Sequence, residues 1–148
     1  MIRKIRLSDA TELHKLNRDC LGYDVPLSLT QNQLEKLMAD PHHHFLVAEV
    51  DGRVIGYLHA QLYETLYFEP LWNLMALAVS ADFQRQGIAS DLMVACEALA
   101  RQAKVAGIRV NSGISRGGAH AFYQKMGYEI RPDQKRFLKR FNDGDDRV

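Results

Sequence analysis

The stretch Gln84-Arg85-Gln86-Gly87-Ile88-Ala89 combines residue types suited to holding an anion. It lies between an apolar, strand-like run ending at Val79 and a long helical pattern. A glycine at such a turn lets the main chain approach a ligand closely, while the first turn of the helix offers unpaired N–H groups and the positive end of its dipole. Phosphate is the usual ligand of a strand, turn and helix in that order. Gln84 and Arg85 add a polar and a cationic side chain beside it. With one glycine and no Lys-Ser or Lys-Thr after it, the turn meets neither the P-loop nor the dinucleotide pattern, which disfavours a nucleotide-binding enzyme.

The same stretch resembles the signature of the GNAT superfamily of N-acetyltransferases: Gln or Arg, two residues, Gly, one residue, then Gly or Ala. Gln84, Gly87 and Ala89 fill it in order. Leu77-Ala78-Val79 and Ser80-Ala81-Asp82-Phe83 look like the family's strand and lead-in, with Ala81 where proline is commoner. Downstream, Arg116, Ala119, Phe122, Tyr123, Gly127 and Tyr128 resemble the family's C-terminal motif, at the usual separation. The resemblance implies an acetyl-CoA site between two splayed strands. Pantetheine would pair with the backbone of Leu77, Ala78 and Val79 like an added strand. The pyrophosphate would rest on the N–H groups of Arg85, Gln86, Gly87, Ile88, Ala89 and Ser90, with Gln84, Arg116, Ala119 and Phe122 also at the cofactor. Tyr123 would stand near the sulfur as the catalytic acid. A phenol with a pKa of about 10 keeps its proton at neutral pH, and a thiol of pKa near 8.5 leaves more easily when hydrogen-bonded.

An attacking amine with a pKa near 10.4 is neutral in only about one molecule in 10³ at pH 7, so it must lose a proton or have its pKa depressed. Many family members carry a glutamate for this in the strand before the glycine turn. Aligned on Val79, one common form places it at Met75, which cannot act as a base. Glu64, Glu69 and His59, or a water held by Asn73, are the alternatives. The glutamates bracket a loop where a solvated carboxylate is the plainer reading, and His59 alternates with Tyr57 and Gln61 as a half-buried structural histidine does. The missing glutamate also keeps open a noncatalytic acyl-CoA-binding or regulatory domain of the same fold. In His42-His43-His44, three consecutive residues cannot all face one ion, so the tract reads as a polar loop entering a strand, and no metal is expected.

These groups need a scaffold. Residues 2–6 read as a short strand, after which Ser8 or Asp9 caps a helix carrying Leu13, Leu16 and Cys20 and closed by Gly22. Thr30 with Gln33 predicts the capping-box start of a second helix, stopped before Pro41. The β-rich runs 45–50 and 53–63 flank Asp51-Gly52, a hairpin signal. A strand at 71–79, a helix at 88–103 and a strand at 108–114 follow, the helix placing Ile88, Leu92, Cys96, Leu99 and Ala103 on one face. That order implies a right-handed parallel crossover, with the glycine turn at the carboxyl ends of neighbouring strands. Residues 119–126 read as a short helix closed by Gly127, and 128–130 with 136–141 as a last pair of strands. The expected class is α/β (α+β): one domain over residues 1–141, with a central mixed, mostly antiparallel sheet, a parallel splayed pair and flanking helices. A polar tail follows at 142–148.

The chain has 148 residues, enough for one core, and 19 Lys and Arg against 18 Asp and Glu leave a net charge of +1. No bulk field draws it to nucleic acid or to an anionic membrane, so any anion site must be local. Lys135, Arg136, Lys139 and Arg140 interleave with Phe137, Leu138 and Phe141 and read as a partly exposed terminal strand. No apolar run reaches a membrane span of about 20 residues, and Met1 leads straight into a strand, so a cytoplasmic location is expected. Cys20 and Cys96 read as core thiols. The implied acceptor is a small-molecule or peptide amine, its pocket shaped by loops 22–30 and 64–70 with Tyr23, Tyr63, Tyr67, Phe68 and Trp72 as lining. Family members are often dimers, which admits a homodimer.

Overall fold

The computed structural model describes residues 1–112 and 117–141, so Arg116, Gly113, Ile114 and the tail at 142–148 lie outside it. The described chain divides into two compact units, Met1–Asn111 and the part beginning at Ser112. In the first, β1 (Ile2–Lys4), α1 (Ala10–Leu21), α2 (Leu27–Met38), β2 (His43–Val50), β3 (Arg53–Tyr63), β4 (Leu71–Val79), α3 (Ile88–Gln102) and β5 (Ile108–Val110) follow one another. The sheet runs β1-β2-β3-β4-β5, antiparallel as far as β4 and parallel between β4 and β5. Asp51 and Gly52 both take positive φ, 50° and 77°, the two left-handed residues that a tight hairpin between twisted strands requires.

The two-residue alternation of the strands divides the layers. Val47, Tyr57 and Ala78 turn to the front face, where they pack with Ala10, Leu13, Leu16 and Leu34 of α1 and α2. The Tyr57 hydroxyl donates to Oδ1 of Asn17 on α1, and burial pushes this phenol up to about 12. Gly56 and Leu58 turn to the back: a Cβ on Gly56 would stand 3.6 Å from Cγ2 of Ile88 at the start of α3. The side chains that α3 buries are Leu92, Met93, Cys96 and Ala100. Leu99, expected on that stripe, is 39% exposed, because the buried face is centred between Cys96 and Ala100 and Leu99 falls outside it.

Both front helices begin differently from the sequence expectation. A short 3-10 turn, Leu7–Asp9, precedes α1, and Asp9 makes no side-chain cap to it. Its carboxylate accepts the Arg6 N–H at 2.7 Å and two bonds from the Arg3 guanidinium at 2.9 Å. Desolvation pushes the Asp9 carboxyl up, but Arg3 and the Arg6 N–H outweigh it and hold it below the usual carboxylate range. The second helix starts at Leu27, directly after Pro26, and Thr30 lies inside it. Proline's locked φ sets the entry, and Leu29 N–H closes onto the Pro26 carbonyl at 3.0 Å.

The second unit holds α4 (Gly117–Lys125). The helix ends in a Schellman motif: Gly127 at φ 95°, its N–H on the Gln124 carbonyl at 3.0 Å, and the Tyr128 N–H on the Tyr123 carbonyl at 2.9 Å. The strands expected at 128–130 and 136–141 are absent; residues 128–140 form no helix or strand. Phe137 and Phe141 are 90% and 95% exposed, and β propensity counts only where such side chains pack on a neighbouring strand.

Candidate active site

The register of β4 sets the geometry. His59 pairs with Ala76, yet Ala60 pairs with Leu74, so Met75 is an extra residue, a β-bulge. Before the bulge, the Trp72 N–H donates to the Gly107 carbonyl at 3.0 Å, and β4 pairs with β5 from Trp72 to Leu74. After it, the Ser80 N–H donates to the Ile55 carbonyl at 2.7 Å. Counting back by twos, the peptide groups of Ala78 and Ala76 face β3, and those of Val79 and Leu77 face the other edge. The bulge therefore shifts the alternation by one where the described β5 ladder ends. Leu77 and Val79 turn peptide groups to an edge that no described strand occupies, whereas Ala78 joins the β3 ladder and buries its methyl group in the core. The Val79 carbonyl also accepts the Cys20 thiol at 3.3 Å and Nε2 of Gln84 at 3.5 Å. Desolvation and the charge of Asp19 raise the Cys20 pKa, which keeps the thiol a donor.

β4 runs through a 3-10 turn, Ala81–Phe83, into the glycine stretch. Arg85 and Gly87 both have positive φ, 64° and 79°, and Gly87 is the residue before α3. The first helical bond is Asp91 N–H to the Gly87 carbonyl at 2.9 Å, so the N–H groups of Ile88 and Ala89 have no partner in the helix. A Cβ at Gly87 would meet nothing within 4 Å. Open space lies over the positive end of a 15-residue helix, and Gln84, Arg85 and Gln86 are exposed around it. The donor set fits a pyrophosphate, and the edge of β4 that leads to it, which no described strand occupies, fits an extended chain of amides.

Within the second unit, Ala119, Phe122 and Tyr123 lie on α4, all half-buried. The Tyr123 ring meets Phe122 and Tyr128 edge-on, at centroid distances of 5.3 and 6.0 Å. Together with the Schellman bond to its carbonyl, these contacts hold the phenol's base in one orientation.

Of the alternative bases, Glu64 and Glu69 are exposed on the loop after β3, where Leu66, Tyr67, Phe68 and Glu69 line a shallow depression. Met75 is 48% exposed. His59 and His43 form a pair, Nε2 to Nδ1 at 2.8 Å, with Phe45 stacked on His59 at 4.2 Å. Burial, with His43 and His44 beside it, pushes His59 down to about 4, so it is neutral at pH 7 and a weak base. The histidine tract is thus part of the sheet: His43 and His44 belong to β2, and His44 stacks on Trp72 at 4.0 Å. No group of three or more His, Cys, Asp or Glu among the described residues could hold a metal ion. Trp72 is only 2% exposed and lies on the back face, so it lines no acceptor pocket. The sequence reading missed Arg109, whose guanidinium carbon sits 4.2 Å over the Tyr63 ring. Only the parallel register, which sets Arg109 beside Asn73, brings it to the site's face. No helix among the described residues is long and apolar enough to cross a membrane.

Comparison with known proteins agrees with this geometry. A family model described as acetyltransferase (GNAT) family matches residues 10–128. An N-alpha-acetyltransferase of Sulfurisphaera tokodaii is 27% identical over 136 residues, covering 86% of this chain and 79% of that protein. An aminoalkylphosphonate N-acetyltransferase of Salmonella typhimurium is 24% identical over 129 residues, covering 86% and 84%. Among solved structures, the aminoglycoside N-acetyltransferase AAC(6')-Iy in complex with the bisubstrate analog CoA-S-monomethyl-acetylneamine superposes with a TM-score of 0.84 at 17% identity, covering 95% of this chain and 97% of that one.

Proposed function

Because the chain belongs to the acetyltransferase (GNAT) family, we propose that it transfers the acetyl group of acetyl-CoA to a primary amine of a small molecule or peptide, by direct attack in a ternary complex. One observation carries this reading: the open edge of β4 at Leu77 and Val79 leads into the left-handed Gly87 at the amino end of α3. A pantetheine arm laid along the first would deliver a pyrophosphate to the second. Relatives named for an N-alpha amine and for an aminoalkylphosphonate support an acceptor of either size.

The amine nitrogen attacks the thioester carbonyl and the C–S bond then breaks. Tyr123 gives its proton to the leaving thiolate and regains one from solvent. Arg116, Ala119 and Phe122 join the cofactor contacts in this scheme. With Met75 at the bulge and His59 made a weak base by burial, no side chain there takes the amine's proton, which passes to water. Both cysteines are free, in keeping with a cytoplasmic setting.

Met75 itself favours a second reading, an acyl-CoA-binding domain without turnover. Free CoA release across an amine panel separates the two. Release that needs both acetyl-CoA and an amine supports the transferase; acetyl-CoA binding without release supports the binding domain. An unchanged melting temperature at millimolar acetyl-CoA would sink both, since ligand at 100 times its dissociation constant adds about 2.7 kcal/mol.

A further inference from the structure

The front face of the sheet is covered by α1 and α2 at Val47, Tyr57 and Ala78. Further along the same strands, alternation puts His43, His59, Gln61, Tyr63, Asn73 and Arg109 on that face. The group has a marked charge character. Arg109 is half-buried, stacked on Tyr63, and forms no ion pair among the described residues. Burial holds His59 neutral, and its ring nitrogen is engaged by His43. No carboxylate of β2 to β5 lies on this stretch, and the neighbouring Glu64 and Glu69 are exposed and pair with no described cation. Asn73 spends its amide N–H on the Met75 sulfur at 3.1 Å. Its Oδ1 is buried and accepts no hydrogen bond. A half-buried guanidinium without a counter-charge and a buried acceptor without a donor are both costly unless something supplies the missing partner.

We infer that Arg109, Tyr63 and Asn73 form the acceptor pocket for an amine that carries its own anionic group, a carboxylate or phosphonate a few bonds from the nitrogen. This rests on the acetyltransferase reading above. The guanidinium takes the anion, with the Tyr63 ring fixing its plane. Once its side chain turns and gives up the Met75 sulfur, the Asn73 amide oxygen takes an amine N–H and holds the nitrogen beside Met75, next to the edge of β4 that no described strand occupies. Adjacent strands are about 4.8 Å apart, so amine and anion must be close, as in a short amino acid or aminoalkylphosphonate. A polycationic amine would meet Arg109 with the wrong sign.

Calorimetry on the CoA-bound enzyme tests this with β-alanine, aminoethylphosphonate, propylamine and putrescine. The two anionic amines should bind about 10- to 100-fold more tightly than propylamine, the range of a charge-assisted pair, and putrescine most weakly. The better of the two anionic probes identifies the anion. Arg109→Gln should bring both down to the level of propylamine, and Arg109→Lys should restore part of the preference. Asn73→Asp, which supplies Arg109 with a counter-charge, should reverse the order toward putrescine and carries the test should Arg109→Gln melt early. Equal binding of all four amines, or a preference that survives in folded Arg109→Gln, overturns the inference. CoA release measured alongside separates the two levels. Arg109-dependent binding without release sinks the transferase and leaves the pocket. Release from propylamine and β-alanine alike sinks the pocket and leaves the transferase.

Discussion

Replacement of Gly87 tests the anion cradle most directly, because the structure separates its effect on folding from its effect on binding. A Cβ there meets nothing within 4 Å among the described residues, so the first atom of a new side chain has room. What remains is the strain of a side chain at φ 79°, about 1–2 kcal/mol. In a domain of this size each kcal/mol lowers the melting temperature by roughly 2–4 °C, so Gly87→Ala and Gly87→Glu should both melt about 2–8 °C early. Their binding should differ. One glutamate charge about 5 Å from one phosphate charge, at an effective dielectric near 20, costs about 3 kcal/mol, or roughly 200-fold in affinity. Gly87→Ala adds only a methyl group and should lose about 10-fold or less. Calorimetric titration of acetyl-CoA into the two variants, with thermal melts of each, reads both quantities. Wild-type affinity in folded Gly87→Glu would place the phosphates elsewhere. Equal losses in the two variants would show that backbone strain, not charge and blockage, governs the site.

Three further outcomes follow from other parts of the chain. Tyr123→Phe keeps the ring contacts with Phe122 and Tyr128 but removes the donor, so kcat should fall about 10²-fold with acetyl-CoA affinity unchanged; turnover at the wild-type rate, with chemistry rate-limiting, rules out this acid. His59 is held near 4 against 6.5 in the unfolded chain, so below about pH 6.5 the unfolded state takes up a proton that the folded state refuses. Its contribution is full above pH 6.5 and fades as the pH falls toward 4, by about 3 kcal/mol at most; His59→Gln should shrink the loss of urea stability between pH 7 and 4.5, and an unchanged loss would assign it to other groups. Gly56→Ala would bring a Cβ within 3.0 Å of the Ala78 carbonyl and 3.3 Å of Val79 Cγ2, so β4 must shift beside the site. It should cost about 1–3 kcal/mol and weaken acetyl-CoA binding too, whereas a melt shift with full affinity would uncouple this contact from the site.

How far the sequence reaches depends on whether a feature is local. The Asp51-Gly52 turn, Gly22, Gly127 and the strand, turn and helix around Gly87 each follow from a few neighbouring residues, and each stands as expected. Where a local signal competed with another, the sequence reading went astray. Thr30 with Gln33 carries a capping pattern, but Pro26 starts the helix one turn sooner. Asp9 reads as a cap, yet Arg3, six residues back on β1, draws its carboxylate away. Residues 136–141 have the alternation of a strand and no described partner to pair with, and β propensity counts only once a neighbouring strand supplies the packing.

The site's least legible features are relations between strands. Nothing around Met75 distinguishes a bulge from regular pairing; the extra residue exists only relative to His59 and Ala60 opposite. Its consequences are larger than its signal. By shifting the alternation it turns Leu77 and Val79 outward, and by interrupting the strand it leaves Met75 half-exposed at the position where the family resemblance leads one to expect a glutamate. Arg109 is the same kind of case. On a three-residue strand it looks like a solvated cation, and only the pairing with Asn73, which carries it over Tyr63, makes it a charge in need of a counter-charge. Local patterns thus mark the glycine turn proposed to hold the cosubstrate, while the acceptor pocket inferred at Arg109 depends on a register set by packing across the whole sheet.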